Sequence, residues 1–154
     1  MTLDDGKKAD VLLAALGERY SALRAIRERV QSIGIASLGL QAAAGGWLLQ
    51  TDDGLTSSEV WVCLLGLIGA VLVLRGVYLA DLQKGFSAQQ RTAVKLETAL
   101  GLFEVDVFDR SGSPMYPASW ARAGEDTGSG RFFATTFALI YLGAAFLGLA
   151  MIFA

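Results

Sequence analysis

The stretch VWVCLLGLIGAVLVLRGVYLA, Val60 to Ala80, decides the fold: its 21 residues carry one fixed charge, Arg75. A run of this length matches the ~20 apolar residues that cross a bilayer as a helix. Val30 to Gln50 and Phe132 to Ala154 are of similar length and also free of fixed charge. The three runs predict an all-α membrane protein with three transmembrane helices. With 53% hydrophobic and 18% charged residues, the chain departs on both counts from the ~45–50% and ~25% usual in soluble domains.

Working outward, the polar segments continue the helical pattern. Ala9, Leu16, Leu23 and Val30 fall on one seven-residue line, and Leu12, Ile26 and Ile33 on its partner, interrupted by Arg19. After the second run, Leu79, Phe86, Ala93 and Leu100 form one line, and Leu82, Leu96 and Phe103 the other, with Gln89 as its exception. Two such seams suit an antiparallel hairpin that extends the first two spans into the cytoplasm. Neither segment contains proline, so each can continue unbroken into its span; Gly17 and Gly85 are the weak points, each costing ~1 kcal/mol against alanine, where a break or bend is the alternative.

The expected organisation is a cytoplasmic amphipathic helix at 1–29, a first span at 30–50, an outer loop at 51–59 and a second span at 60–80. A cytoplasmic helix at 81–103, an irregular or strand-like insert and linker at 104–131 and a third span at 132–154 follow. The insert is punctuated by Ser111-Gly112-Ser113-Pro114 and Pro117, and Gly124 to Gly130 reads as its linker.

Cations set the orientation. Lys7, Lys8, Arg19, Arg24, Arg27 and Arg29 precede the first span, and Lys84, Arg91, Lys95, Arg110, Arg122 and Arg131 lie between the second and third. The loop with Asp52, Asp53 and Glu59 has none. The positive-inside rule then puts the N-terminus and the insert in the cytoplasm and Ala154 at the outer face, with Trp47 and Trp61 as outer interface anchors.

Within the apolar runs the polar positions stand out. Gly34, Ser37, Gln41 and Gly45 share one helical stripe, which serves either as a close helix interface or, repeated around a ring of subunits, as a pore lining. Arg75 either snorkels to the cytoplasmic interface or pairs with Glu28; left vacant beside Arg24 and Arg27, it would offer a basic site for lipid phosphate or an anionic small-molecule activator. Tyr116 and Trp120 are the insert's candidates for docking a ligand or a cytosolic protein. Gly66-x-x-x-Ala70 and Ala144-x-x-x-Gly148 permit close helix contact, and the shortness of the chain points to a homo-oligomer.

Chemistry has little to work with. The chain has no histidine, one cysteine (Cys63, inside the second run) and no metal-ligand spacing. No enzyme, cofactor or metal site is expected, and Glu104, Asp106 and Asp109 read as a solvated acidic face. A net charge of -2 does not suit a basic nucleic-acid reader.

The charged helix from Glu18-Arg19-Tyr20 to Arg29, the paired span after it and the helix Arg91-Thr92-Ala93-Val94-Lys95-Leu96-Glu97 are together similar to SLATT-type membrane effectors. The third span resembles the RipA-like oligomeric inner-membrane proteins. The resemblance implies an oligomeric effector of the bacterial inner membrane, working beside nucleotide-signalling or phage-sensing partners and acting by pore formation. Against it stand a non-conducting membrane-anchored adaptor and a lipid-binding envelope protein.

Overall fold

The computed structural model describes residues 4–50, 54–105, 107, 113–125 and 130–153. Four α-helices carry the fold: α1 Asp5–Leu48, α2 Ser57–Val73, α3 Ala80–Ala99 and α4 Arg131–Phe153. A π-helical segment, Leu74–Leu79, joins α2 to α3, and a short 3-10 helix spans Ala118–Arg122. The all-helical expectation holds, with no strand among the described residues. Asp106, Asp109, Ser111, Gly112, Asp52, Asp53, Ala154 and part of the Gly124–Gly130 linker lie outside them.

Two helical stretches are long and apolar enough to cross a membrane, Ser57–Ala99 and Arg131–Phe153. The C-terminal half of α1 is not among them. Gln31, Ser32, Ser37, Gln41 and the glycines at 34, 39, 45 and 46 dilute its hydropathy. Helix runs unbroken through both Gly17 and Gly85, and the departure from α-helix falls at Leu74–Leu79. A π turn is rare and tends to persist where function compensates for it.

The chain divides into two compact units, 1–27 with 83–129 and 28–82 with 130–154. In the first unit Leu16 of α1 and Ala93, Ser87 and Glu97 of α3 are buried. The two seam exceptions prove to be partners: Arg19 Nη1 donates to Gln89 Oε1 at 2.9 Å. A polar pair inside an apolar seam favours one register, because any slip strands both groups against hydrocarbon. Helix α3 ends in a Schellman turn, with Gly101 left-handed at φ 75°, Leu102 N–H reaching Glu97 O at 3.1 Å and Gly101 N–H reaching Thr98 O at 3.0 Å. From there the insert folds back: Val105 bridges Pro114, and Tyr116 N–H donates to Leu102 O at 3.0 Å.

In the second unit α4 packs on both α1 and α2. Contacts rise together along α1 and α4, from Gly34 against Thr136 to Gly45 against Phe146 and Ala150, so these helices run parallel. Leu64 meets Gly148 while Arg75 meets Phe137 and Tyr141, so α2 and α4 run antiparallel. The core is Val30, Leu79, Phe133, Thr136 and Ile140, all but fully enclosed. Helix α2 has no buried residue. Its N-terminus is capped by Glu59, whose carboxylate accepts from Thr56 N–H at 2.8 Å.

Candidate functional site

Three clusters gather the polar chemistry, one in the first unit and two in the second.

In the first unit, Tyr20 of α1 donates its hydroxyl proton to Glu97 Oε1 at 2.5 Å. Glu97 is buried, at 6% exposure, in a helix of otherwise polar surface. Tyr116 packs edge-on against Phe103 at 5.9 Å and tilts against Trp120 at 5.3 Å, making an aromatic row along the insert. Burial, then the hydrogen bonds with Glu97 and Tyr116, hold the Tyr20 phenol well above its ordinary value. The phenol therefore stays protonated and keeps donating through the neutral range. Tyr116 is thus turned inward on Tyr20, Phe103 and Trp120, whereas Trp120 itself stays exposed. Arg24 and Arg27 lie on the exposed side of α1.

Replacing Tyr20 with phenylalanine removes a hydrogen-bond donor to a buried carboxylate. A hydrogen bond to a charged group contributes ~1.5–3 kcal/mol, and the 44% exposure of Tyr20 places the expected loss at about 1–2 kcal/mol. The raised phenol also sets a pH signature. Its contribution is complete below roughly pH 10 and is lost as pH rises further, because the unfolded phenol ionises first. Denaturation of wild type and Tyr20→Phe at pH 8 and pH 11 should show the difference between them shrinking at the higher pH.

The second cluster is the predicted stripe. Gly34, Gln41 and Gly45 are buried and Ser37 is half-buried, all in the seam between α1 and α4. A Cβ at Gly34 would lie 3.1 Å from Thr136 Cγ2, and one at Gly45 would lie 2.6 Å from Phe146 Cε1. These glycines let α4 approach. Thr136 Oγ1 donates across the seam to Val30 O at 3.4 Å. Gln41 presses its Oε1 against Gly143, at the place where a side chain would begin. That oxygen is buried, and among the described residues it has no hydrogen-bond partner. The stripe is therefore filled by the chain's own fourth helix.

The third cluster surrounds Arg75. Its Nη1 donates to the Tyr141 hydroxyl, and the guanidinium lies over the Phe137 ring at 5.5 Å and the Tyr141 ring at 5.7 Å. The Glu28–Arg75 pair does not form: Glu28 is exposed, and Arg75 turns to α4 instead. The physical reason is steric order. The third apolar helix supplies two aromatic faces alongside α2, and a guanidinium stacks there without a carboxylate.

Tyr20, Glu97, Tyr141, Thr136 and Gly143 were missed by sequence reasoning. A signal for two of them existed: Thr136, Gly143 and Ala150 repeat at seven residues in the last run, the same spacing as Gly34 and Gln41. Among the described residues no cluster of three or more potential metal ligands occurs. Neither a protein-family model nor a curated protein nor a solved structure matches the chain.

Proposed function

We propose that this protein is a non-catalytic, membrane-anchored adaptor of the bacterial inner membrane. The second unit holds it in the bilayer, and the first unit recruits a cytosolic protein. The first two apolar runs and α4 all cross, the N-terminus and insert face the cytoplasm as the cation distribution requires, and α2, which has no buried residue, leaves apolar surface for assembly.

One observation carries this reading above the channel effector. Seam contacts with Thr136, Gly143 and Phe146 occupy the stripe that would line a pore, while the insert, tied to α3, leaves large apolar side chains uncovered. Met115 is 63% exposed, Trp120 55% and Val105 53%. Exposed apolar groups gathered on one polar unit mark an interaction surface more often than chance does. Trp120, resting on Tyr116, is the anchor such a surface would use.

A specific observation keeps the channel effector as a second reading. Gln41 Oε1 lacks a donor, so the α1–α4 seam holds an unmet acceptor and separates at less cost than a fully bonded one. A signal that prefers the separated state would expose the stripe by population shift.

The two readings part in one experiment. Full-length protein in liposomes is tested for ion flux, and the same variants are tested for recovery of a cytosolic partner. The adaptor reading expects no flux, loss of the partner with Trp120→Ser and Met115→Ser, and retention with Gln41→Leu. Flux that Gln41→Leu abolishes would replace it by the channel.

A further inference from the structure

Arg75 and Tyr141 form a pair rich in donors and short of acceptors. A guanidinium presents five N–H donors and stays protonated, and among the described residues Arg75 has the Tyr141 hydroxyl as its acceptor and no ion pair. Most of the fork is unmet. Having accepted from Arg75, the Tyr141 hydroxyl keeps its own proton to give, and among the described residues nothing takes it. The other hydroxyls of α4 are engaged elsewhere, because Thr135 donates to Arg131 O at 3.0 Å and Thr136 to Val30 O at 3.4 Å. The Phe137 and Tyr141 rings, at 5.5 and 5.7 Å, stack on the cation without supplying a negative oxygen. What the pair lacks is an oxyanion.

The level of the pair selects the source. Leu64 meets Gly148, and eleven residues further along each antiparallel helix stand Arg75 and Phe137, so these two lie level. Each is six residues from a charged end, Asp81 in one helix and Arg131 in the other, or about 9 Å. The guanidinium thus belongs to the cytoplasmic half of the span. At this depth a long cation meets phosphate by leaning toward the interface while the bilayer thins locally around it. Carboxylates are not to hand: residues 30–50, 60–80 and 132–154 contain no aspartate or glutamate, so a second copy would bring only another cation to this level.

Both groups are open to the surroundings, Arg75 exposed and Tyr141 40% exposed. Leu72, one turn before Arg75, and Leu142, next to Tyr141, are exposed too and suit acyl chains. We infer that Arg75 and Tyr141 bind the phosphate of an anionic lipid of the cytoplasmic leaflet, Arg75 through its remaining N–H groups and Tyr141 through its hydroxyl proton. A phosphate presents several acceptor oxygens, matches the guanidinium fork and cancels its charge. Phosphatidylcholine carries the same phosphate already neutralised by its own choline, so it leaves the cation uncompensated. This rests on α2 and α4 lying in the membrane, and it is independent of what the first unit recruits.

The test takes full-length protein in a neutral detergent, titrates it with phosphatidylglycerol or phosphatidylcholine, and counts retained lipid by mass spectrometry of the intact protein. Wild type should hold phosphatidylglycerol about tenfold more tightly, the scale of one hydrogen bond to a charged group. Arg75→Gln should remove that preference. Tyr141→Phe keeps both ring faces and should lower the preference about threefold, the share of a single hydroxyl donor. Circular dichroism, and alkaline extraction from phosphatidylcholine vesicles, show that each variant is folded and inserted. Wild-type protein that washes off the vesicles would end both this proposal and the membrane anchor; inserted protein that holds the two lipids equally would end this proposal alone. A preference that survives Arg75→Gln would overturn it by placing the lipid on the cations at the helix ends. Displacement of the lipid by excess inorganic phosphate would overturn it in favour of a soluble anion.

Discussion

Replacing Gly143 with leucine is expected to destabilise the second unit by about 3 kcal/mol, the upper end of the ~1–3 kcal/mol typical of overpacking. The reason lies in the seam. The first atom of any side chain at 143 collides with Gln41 Oε1, and Cδ and Cβ of Gln41 lie at 3.1 and 3.2 Å from the same point. The amide end can swing away from a methyl group, so alanine should cost much less than leucine. It cannot clear a leucine, because the Cβ of Gln41 is fixed to the α1 backbone. Helices in lipid gain no hydrophobic term from meeting one another, and their association depends on close packing of this kind. Unfolding in micelles with an increasing fraction of denaturing detergent measures the loss. Gln41→Ala in the leucine background should restore part of it, with a coupling of about 0.5–3 kcal/mol expected of touching residues. Unchanged stability of Gly143→Leu would mean that α4 does not lie in the Gly34–Gly45 stripe, and the pore lining would be open again.

The second large effect is expected at Gly124, where alanine should free the end of the insert from α3. Gly124 has φ 85°, a backbone state that costs an L-residue roughly 1–2 kcal/mol. Its missing Cβ would lie 2.9 Å from Ser87 O and 3.0 Å from Arg91 N, both main-chain atoms of a helix that cannot step aside. Strain and collision add, and about 2–3 kcal/mol is expected for Gly124→Ala, felt locally because the insert can detach while the helices stay folded. Amide exchange over 113–125 should accelerate together with cleavage at Arg122, whereas protection in α3 stays. If exchange over 113–125 is unaltered, the insert is not held at this point. The same variant bears on recruitment: Trp120 lies four residues away, on the 3-10 helix Ala118–Arg122.

The seams show how much was legible. Leu16 and Ala93, both assigned to apolar lines from spacing alone, are buried. Arg19 and Gln89 were visible only as gaps in the two lines, and their hydrogen bond needed three dimensions. Glu97 gave no sign of itself, because a carboxylate on a polar helix ordinarily faces water, and only the reach of Tyr20 from another helix accounts for its burial. Arg75 was conspicuous as the lone charge of its run. Its partner was misassigned because a carboxylate was sought, whereas a guanidinium accepts aromatic faces as readily.

By itself the sequence determined that the chain is helical, that its long apolar helices suit a bilayer, and that polar atoms within them are few: these follow from composition and period, which act residue by residue. Tertiary structure alone decided that α4, not another subunit, fills the stripe of Gly34, Gln41 and Gly45, and that Arg75 turns to Tyr141. The physical reason is that a small-residue stripe states how closely a neighbour can approach but not which neighbour comes. That choice depends on the matching surface of Thr136, Gly143 and Ala150, more than ninety residues away along the chain.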